Sequence, residues 1–113
     1  MRKLNKTKLF NQAMKFYDEG KLDEADQIYQ SILKNNPDNF VANYFHGCVL
    51  LQKSQFTEAK KHFKKALDSN PNNYEANNNL GIVYKNLNEF ENAKKYFLKA
   101  TAIDGNNFEA YFN

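Results

Sequence analysis

The sequence contains one cysteine, Cys48, in 113 residues. A lone thiol cannot close an internal disulfide, which excludes the disulfide-stapled secreted folds and points to the cytoplasm or another reducing compartment. Two prolines and four glycines are too few for a turn-dense all-β fold. No apolar run approaches the roughly 18 residues of a membrane span, so no membrane insertion is expected. The first ten residues, MRKLNKTKLF, lack the apolar centre of a secretion signal. A net charge of +3 is too small to imply nucleic acid. Catalytic patterns are also missing: the chain has no glycine-rich phosphate loop, no Ser–His–Asp pattern and no Cys/His metal spacing. The two histidines, His46 and His62, stand 16 residues apart, which is not a metal-ligand spacing. Enzyme activity, cofactors and metals are therefore not expected.

The residues that are present suit one domain with a core and a strongly polar surface. Hydrophobic residues make up 42% and the mean hydropathy is −0.82. A period of 34 residues dominates the chain. Asn5, Asn39, Asn73 and Asn107 are spaced by it, and so are Ala25, Ala59 and Ala93. Leu22, Phe56 and Phe90 share the offset, as do Tyr29, Phe63 and Phe97, and Ile32, Ala66 and Ala100. Pro37 and Pro71 match, with Gly105 in the third place. Such self-similarity is the mark of a repeat architecture.

Each unit contains two helical patterns. Asn77, Leu80, Gly81 and Tyr84 share one helical face, and Phe90, Ala93, Phe97 and Ala100 form a second. NLNEF at 86–90 is a short polar turn between them, and Gly20 in the first unit suits a left-handed helix end. The spaced asparagines are candidate helix caps, and each proline disfavours helix at the residue before it. The expectation is all-α: six helices of roughly 12–15 residues with antiparallel neighbours. The single domain 1–113 divides into units 6–39, 40–73 and 74–107, with 108–113 opening a fourth.

This 34-residue helix–turn–helix pattern resembles the tetratricopeptide repeat family over residues 6–113. LGIVY at 80–84 and FENAKKYFLKA at 90–100 carry the resemblance best. The family's small residue appears as Ala13, Gly47 and Gly81, the large residue three places on as Phe16, Leu50 and Tyr84, and the second-helix alanine as Ala25, Ala59 and Ala93. There are departures. The early aromatic slot holds Leu9, Asn43 and Asn77, and the leucine before the small residue is replaced by Gln12 and His46. These departures are expected to weaken packing locally, and His46→Leu is expected to raise stability.

The resemblance implies a right-handed superhelical α-solenoid and a non-enzymatic scaffold whose first helices line a concave groove for a partner's peptide or helix. In that register the groove residues are Thr7, Phe10, Met14 and Tyr17; then Val41, Tyr44, Phe45, Cys48 and Leu51; then Glu75, Asn78, Asn79, Ile82 and Lys85. Packing between neighbouring units is the alternative use of the same side chains. Chaperone-binding members of the family grip a C-terminal carboxylate with a cationic clamp. The matching places here are Phe10, Met14, Phe45, Glu75 and Asn79, so binding of chaperone acidic tails is not expected.

Cys48 reads as a small apolar filler. The KKHFKK run at 60–65 reads as a solvated outer face, with nucleic-acid or acidic-lipid binding as the other possibility. RNA reading by helical repeats fits poorly with Phe10, Met14, Tyr44 and Ile82 on the inner surface. With no polar closing helix, apolar surface is expected near Tyr84, Phe97 and Ala100, together with self-association through that end. A second reading of function takes the chain as a repeat segment of a larger protein whose enzymatic or membrane domain lies elsewhere.

Overall fold

The computed structural model describes residues 2–104, with side chains from Thr7 onward. Those residues form six helices: α1 (Arg2–Asp18), α2 (Leu22–Asn35), α3 (Phe40–Gln52), α4 (Phe56–Ser69), α5 (Tyr74–Asn86) and α6 (Phe90–Ile103). There is no strand among the described residues. Each helix packs on the next in sequence, and α3 also touches α5, so the core is built by stacking hairpins. The start of a fourth unit expected at 108–113, with Gly105 and Asn107, lies outside the described residues.

The helix starts alternate between two mechanisms. Asn39 and Asn73 cap α3 and α5, with side-chain oxygens accepting from the Ala42 N–H at 2.9 Å and the Ala76 N–H at 2.8 Å. Such caps are worth about 1 kcal/mol each. Asn5, the first of the spaced asparagines, lies inside α1, which begins at Arg2. The second helix of each hairpin has no side-chain cap. Its entry is instead locked to the end of the helix before it. Lys21, Gln55 and Glu89 donate backbone N–H bonds to the carbonyls of Phe16, Leu50 and Tyr84. These bonds are possible because Gly20, Ser54 and Asn88, 34 residues apart, all adopt positive φ (79°, 60° and 61°).

The asparagines in the early aromatic slot are not packing defects. Asn43 and Asn77 are fully buried. The Asn43 amide donates to the carbonyls of Pro37 (2.9 Å) and Asn39 (3.0 Å), and the Asn77 amide to those of Pro71 (3.1 Å) and Asn73 (2.9 Å). Each one ties the loop between hairpins to the helix that follows it. An aromatic ring could fill the volume but would leave two loop carbonyls without that donor.

Close approach within a hairpin depends on small residues. A Cβ added at Gly47 would lie 3.0 Å from the Phe63 ring, and one at Gly81 would lie 2.6 Å from the Phe97 ring. In the first hairpin Ala13 takes the same place, fully buried like Tyr29 opposite it.

The positive-φ positions yield a test. Ser54 bears the steric cost of the left-handed region, which is roughly 1–2 kcal/mol for a residue with a Cβ. Ser54→Gly should therefore raise unfolding stability by about 0.5–1 kcal/mol after the added chain entropy of glycine, and Gly20→Ala should lower it by a similar amount. Urea unfolding of both variants checks the pair of signs.

Candidate functional site

On the first helices α1, α3 and α5, packing within and between hairpins buries Ala13, Ala42, Ala76, Leu80 and Val83 completely; Ala42 clusters with Ala25, Tyr29 and Ile32 of the hairpin before it. The fourteen residues expected to form a groove lie on the same three helices. Phe10, Met14 and Tyr17 of α1 are half-buried, as are Val41, Tyr44, Phe45 and Leu51 of α3 and Asn79 and Ile82 of α5. Glu75 and Lys85 are exposed, whereas Cys48 and Asn78 are buried, each 8% exposed. Thr7 is exposed.

Several of these side chains are committed to one another. Phe45 stacks on Tyr29 with ring centroids 5.4 Å apart, and meets Tyr17 and Tyr44 edge-on at 5.4 and 5.0 Å. Tyr44 also edges onto Phe63 at 5.9 Å. The Tyr29 hydroxyl donates to the Met14 thioether at 3.2 Å. The Asn79 amide donates to the Tyr44 hydroxyl at 3.1 Å and reaches Cys48 Sγ at 3.8 Å. Gln52 donates to the Tyr17 hydroxyl at 3.0 Å. Burial pushes the Tyr17 phenol up to about 12 and the Cys48 thiol up to about 11. Cys48 is thus a neutral, shielded thiol, which matches its reading as a small filler. Phe45 belongs to the joint between the first two hairpins, while Phe10, Met14, Leu51 and Ile82 keep accessible surface.

Behind this face, five side chains from α2, α3 and α4 form a polar chain. His46 Nδ1 lies 2.5 Å from Asp26 Oδ1, and the Gln30 amide donates to the other Asp26 oxygen at 2.8 Å. The His46 and His62 rings meet edge to face at 4.4 Å. His62 Nδ1 lies 2.9 Å from Asn43 Oδ1. The Asn43 amide already donates to two carbonyls, so its oxygen is the acceptor, which assigns the proton to His62 Nδ1. Burial first, and the facing His46 second, push the His62 pKa down to about 4. His46 is the satisfied, partly buried histidine expected, but the sign expected for His46→Leu reverses. Leucine would leave the Asp26 carboxylate, only 7% exposed, without its imidazole partner. In the next unit Tyr96 replaces His62, and Asn77 Oδ1 is buried without a hydrogen-bond partner among the described residues.

Apolar surface at the last hairpin differs from expectation. Tyr84 is buried under Tyr96, with ring centroids 5.5 Å apart, and Ala100 is fully buried. Phe97 is half-buried. The large exposed apolar side chains of α6 are instead Phe90 (61%) and Leu98 (59%). Among the described residues there is no group of three or more metal-ligating side chains, and no helix is long and apolar enough to cross a membrane.

The stacked hairpins define an all-α helical-repeat solenoid. Two family profiles described as tetratricopeptide repeat match the chain, over residues 50–113 and 9–39. The chain belongs to the tetratricopeptide repeat family. A search of curated proteins finds no match. Among solved structures the chain is similar to the first TPR of Spaghetti (RPAP3) bound to the HSP90 peptide SRMEEVD. The two are 25% identical with a TM-score of 0.87, covering 94% of this chain and 84% of that one. It is also similar in fold to MamA from Desulfovibrio magneticus RS-1, at 23% identity and a TM-score of 0.86 over 93% of this chain. A further MamA crystal structure gives 20% identity and a TM-score of 0.88 over 95% of this chain. The chain spans 59% and 63% of the length of those two MamA chains. The family match and the likeness to the peptide-bound RPAP3 domain support a protein-interaction module; the MamA likenesses show the fold.

The half-buried His62 carries a pH signature. The folded pKa of His62 lies below its ordinary 6.5, so the unfolded chain takes up its proton first as pH falls. The stability associated with neutral His62 is complete above about pH 6.5 and declines as pH falls towards 4. Glu58 opposes the shift, whereas Lys61 and Lys65 reinforce it. Replacing His62 with tyrosine, the residue one unit later, should flatten the melting temperature between those two pH values relative to wild type. Equal slopes in thermal melts of the two proteins would exclude this linkage.

Proposed function

We propose that the chain is a non-enzymatic interaction module whose first-helix face, α1–α3–α5, holds a peptide or helix from a partner protein. Its repeating blocks are 6–39, 40–73 and 74–107. The observation that carries the reading is the row of half-buried large side chains, Phe10, Met14, Tyr17, Val41, Leu51 and Ile82, on three adjacent helices. Hairpin packing buries the small and branched residues of those helices completely and leaves this row accessible. A preformed face loses little entropy on binding, so a few apolar anchors suffice.

The character of the face changes along its length. Apolar anchors dominate on α1 and α3, and Glu75, Asn79 and Lys85 on α5 supply polar groups. The similar RPAP3 structure holds the peptide SRMEEVD, which supports peptide binding as the mode. It does not transfer the peptide, because Phe10, Met14, Phe45, Glu75 and Asn79 offer no cation for a C-terminal carboxylate. The partner expected here is a segment with hydrophobic anchors.

A second reading adds self-association, and the exposed Phe90 and Leu98 of α6 favour it. An apolar helix face of this kind is covered at low cost by a second copy.

Peptides selected from a random library against the folded chain should lose at least about tenfold in affinity to Phe10→Ser/Ile82→Ser. Tyr44 is left in place because Asn79 bonds to it and Phe63 packs on it. Binders unaffected by the double variant would remove the face from consideration, and SRMEEVD should show no binding that depends on these two residues. For the second reading, light scattering at high concentration should show a dimer that Leu98→Lys dissociates; a strict monomer rejects it.

A further inference from the structure

The outer helices hold a second feature, independent of the first-helix face. α4 and α6 together carry seven lysines and three carboxylates, whereas the rest of the chain has nine basic and ten acidic residues. The whole positive excess therefore sits on these two helices. Of the seven lysines, only Lys60 has a carboxylate within ion-pair distance among the described residues, Glu89 at 3.9 Å. Lysines at such positions usually serve solubility, but here two of them flank a cleft.

The cleft, about 320 Å³ in volume, lies between α4 and α6. Leu67, Pro71 and Tyr96 form its apolar part. Lys64 and Asp68 stand on the α4 side and Lys99 on the α6 side. Its tyrosine is held in place from behind, since Tyr96 stacks on Tyr84 at 18° between ring planes. Lys95 lies 5.4 Å from the Tyr96 centroid and adds to the positive field beside the opening.

We propose that this cleft is a docking site for an acidic protein segment that inserts one apolar or aromatic side chain between Lys64 and Lys99. Charge complementarity selects the occupant. Carboxylates on either side of the inserted residue meet the two unpaired ammonium groups, and the inserted side chain covers Leu67, Pro71 and the Tyr96 ring. Three observations favour a peptide over a phosphate polymer or a lipid surface. Every cation on α4 and α6 is a lysine, so the planar bidentate fork that arginine offers phosphate is missing. Asp68 on the rim repels a continuous phosphate chain but can accept a peptide N–H. The apolar part is bounded by α4 on one side and α6 on the other, which suits a single side chain better than a flat bilayer.

The test uses the full chain and a short fluorescent peptide with one phenylalanine inside a run of glutamates, followed by anisotropy. The expected result is saturable binding that weakens with salt and falls by at least about tenfold in Lys64→Glu/Lys99→Glu. Both lysines are exposed, so the variant should retain its helical circular dichroism. Phe10→Ser/Ile82→Ser should bind the acidic peptide as wild type does, which separates this cleft from the first-helix face. Equal binding by the lysine variant overturns the proposal, as does equal binding of a peptide with glycine in place of phenylalanine. Stronger binding to a short DNA duplex or to phosphatidylserine vesicles at the same salt overturns it in favour of those partners.

Discussion

Everything in this structure depends on an aromatic ring meeting a residue with almost no side chain. Tyr29 packs opposite Ala13, Phe63 against Gly47 and Phe97 against Gly81. This lets the two helices of a hairpin approach closely enough that the ring fills the space between them. Tyr29 and Phe63 are then sealed completely, because the next hairpin's first helix packs on the second helix. A lone hairpin would expose these rings, and dispersion and hydrophobic gains grow only as neighbours are added. The solenoid is the geometric consequence of a contact that needs both a small partner inside the hairpin and a cover from outside.

Given that contact, the loops have to hold neighbouring hairpins at a fixed angle. Asn43 and Asn77 do this from within the core. Each spans two carbonyls of the preceding loop, six and four residues back. The amide gives the Pro37 and Pro71 carbonyls a donor from the helix that follows, and it adds a second donor to the Asn39 and Asn73 carbonyls, which also accept the backbone N–H groups of Asn43 and Asn77. Their neighbourhoods differ. Asn43 has its oxygen satisfied by His62, whereas the Asn77 oxygen has no such partner among the described residues. The joint between the first and second hairpins is thus the better-satisfied of the two, and it also contains Asp26, His46 and the stacked Tyr29–Phe45 pair.

The periodic features of the fold were legible in the residues because they recur every 34 positions. The helix pairs, the small residues at Gly47 and Gly81, the capping asparagines 39 and 73, and the left-handed turn at Gly20 all read directly from spacing. What did not read were interactions between residues whose partnership is spatial. Asn43 and Asn77 looked like lost aromatics, although each follows a capping asparagine by four residues and a proline by six, and that shared offset was the available signal. His46 looked like a lost leucine because Asp26 is twenty residues away on another helix. Tyr84 and Ala100 looked exposed because the register alone does not show Tyr96 folding over Tyr84. For the candidate face, the register named positions on α1, α3 and α5, but depth was not legible: Cys48 and Asn78 lie beneath the surface, and Phe45 is held by three other rings.

The two faces of the solenoid differ in what they can recognise, and the difference follows from hairpin geometry. First helices carry the half-buried apolar row; Asn79 and Gln52 beside it are already bonded to Tyr44 and Tyr17, and the exposed Glu75 and Lys85 on α5 carry opposite charges. Second helices face outward, where lysine stems can lie over apolar residues while their ammonium groups remain in water. Binding on the inner face must therefore draw on buried area and shape, and it should be insensitive to salt. Binding on the outer face must draw on charge, with area limited to one cleft, and it should be strongly screened. A ligand's salt dependence alone thus reports which face holds it, because the net positive charge of this chain is concentrated on α4 and α6.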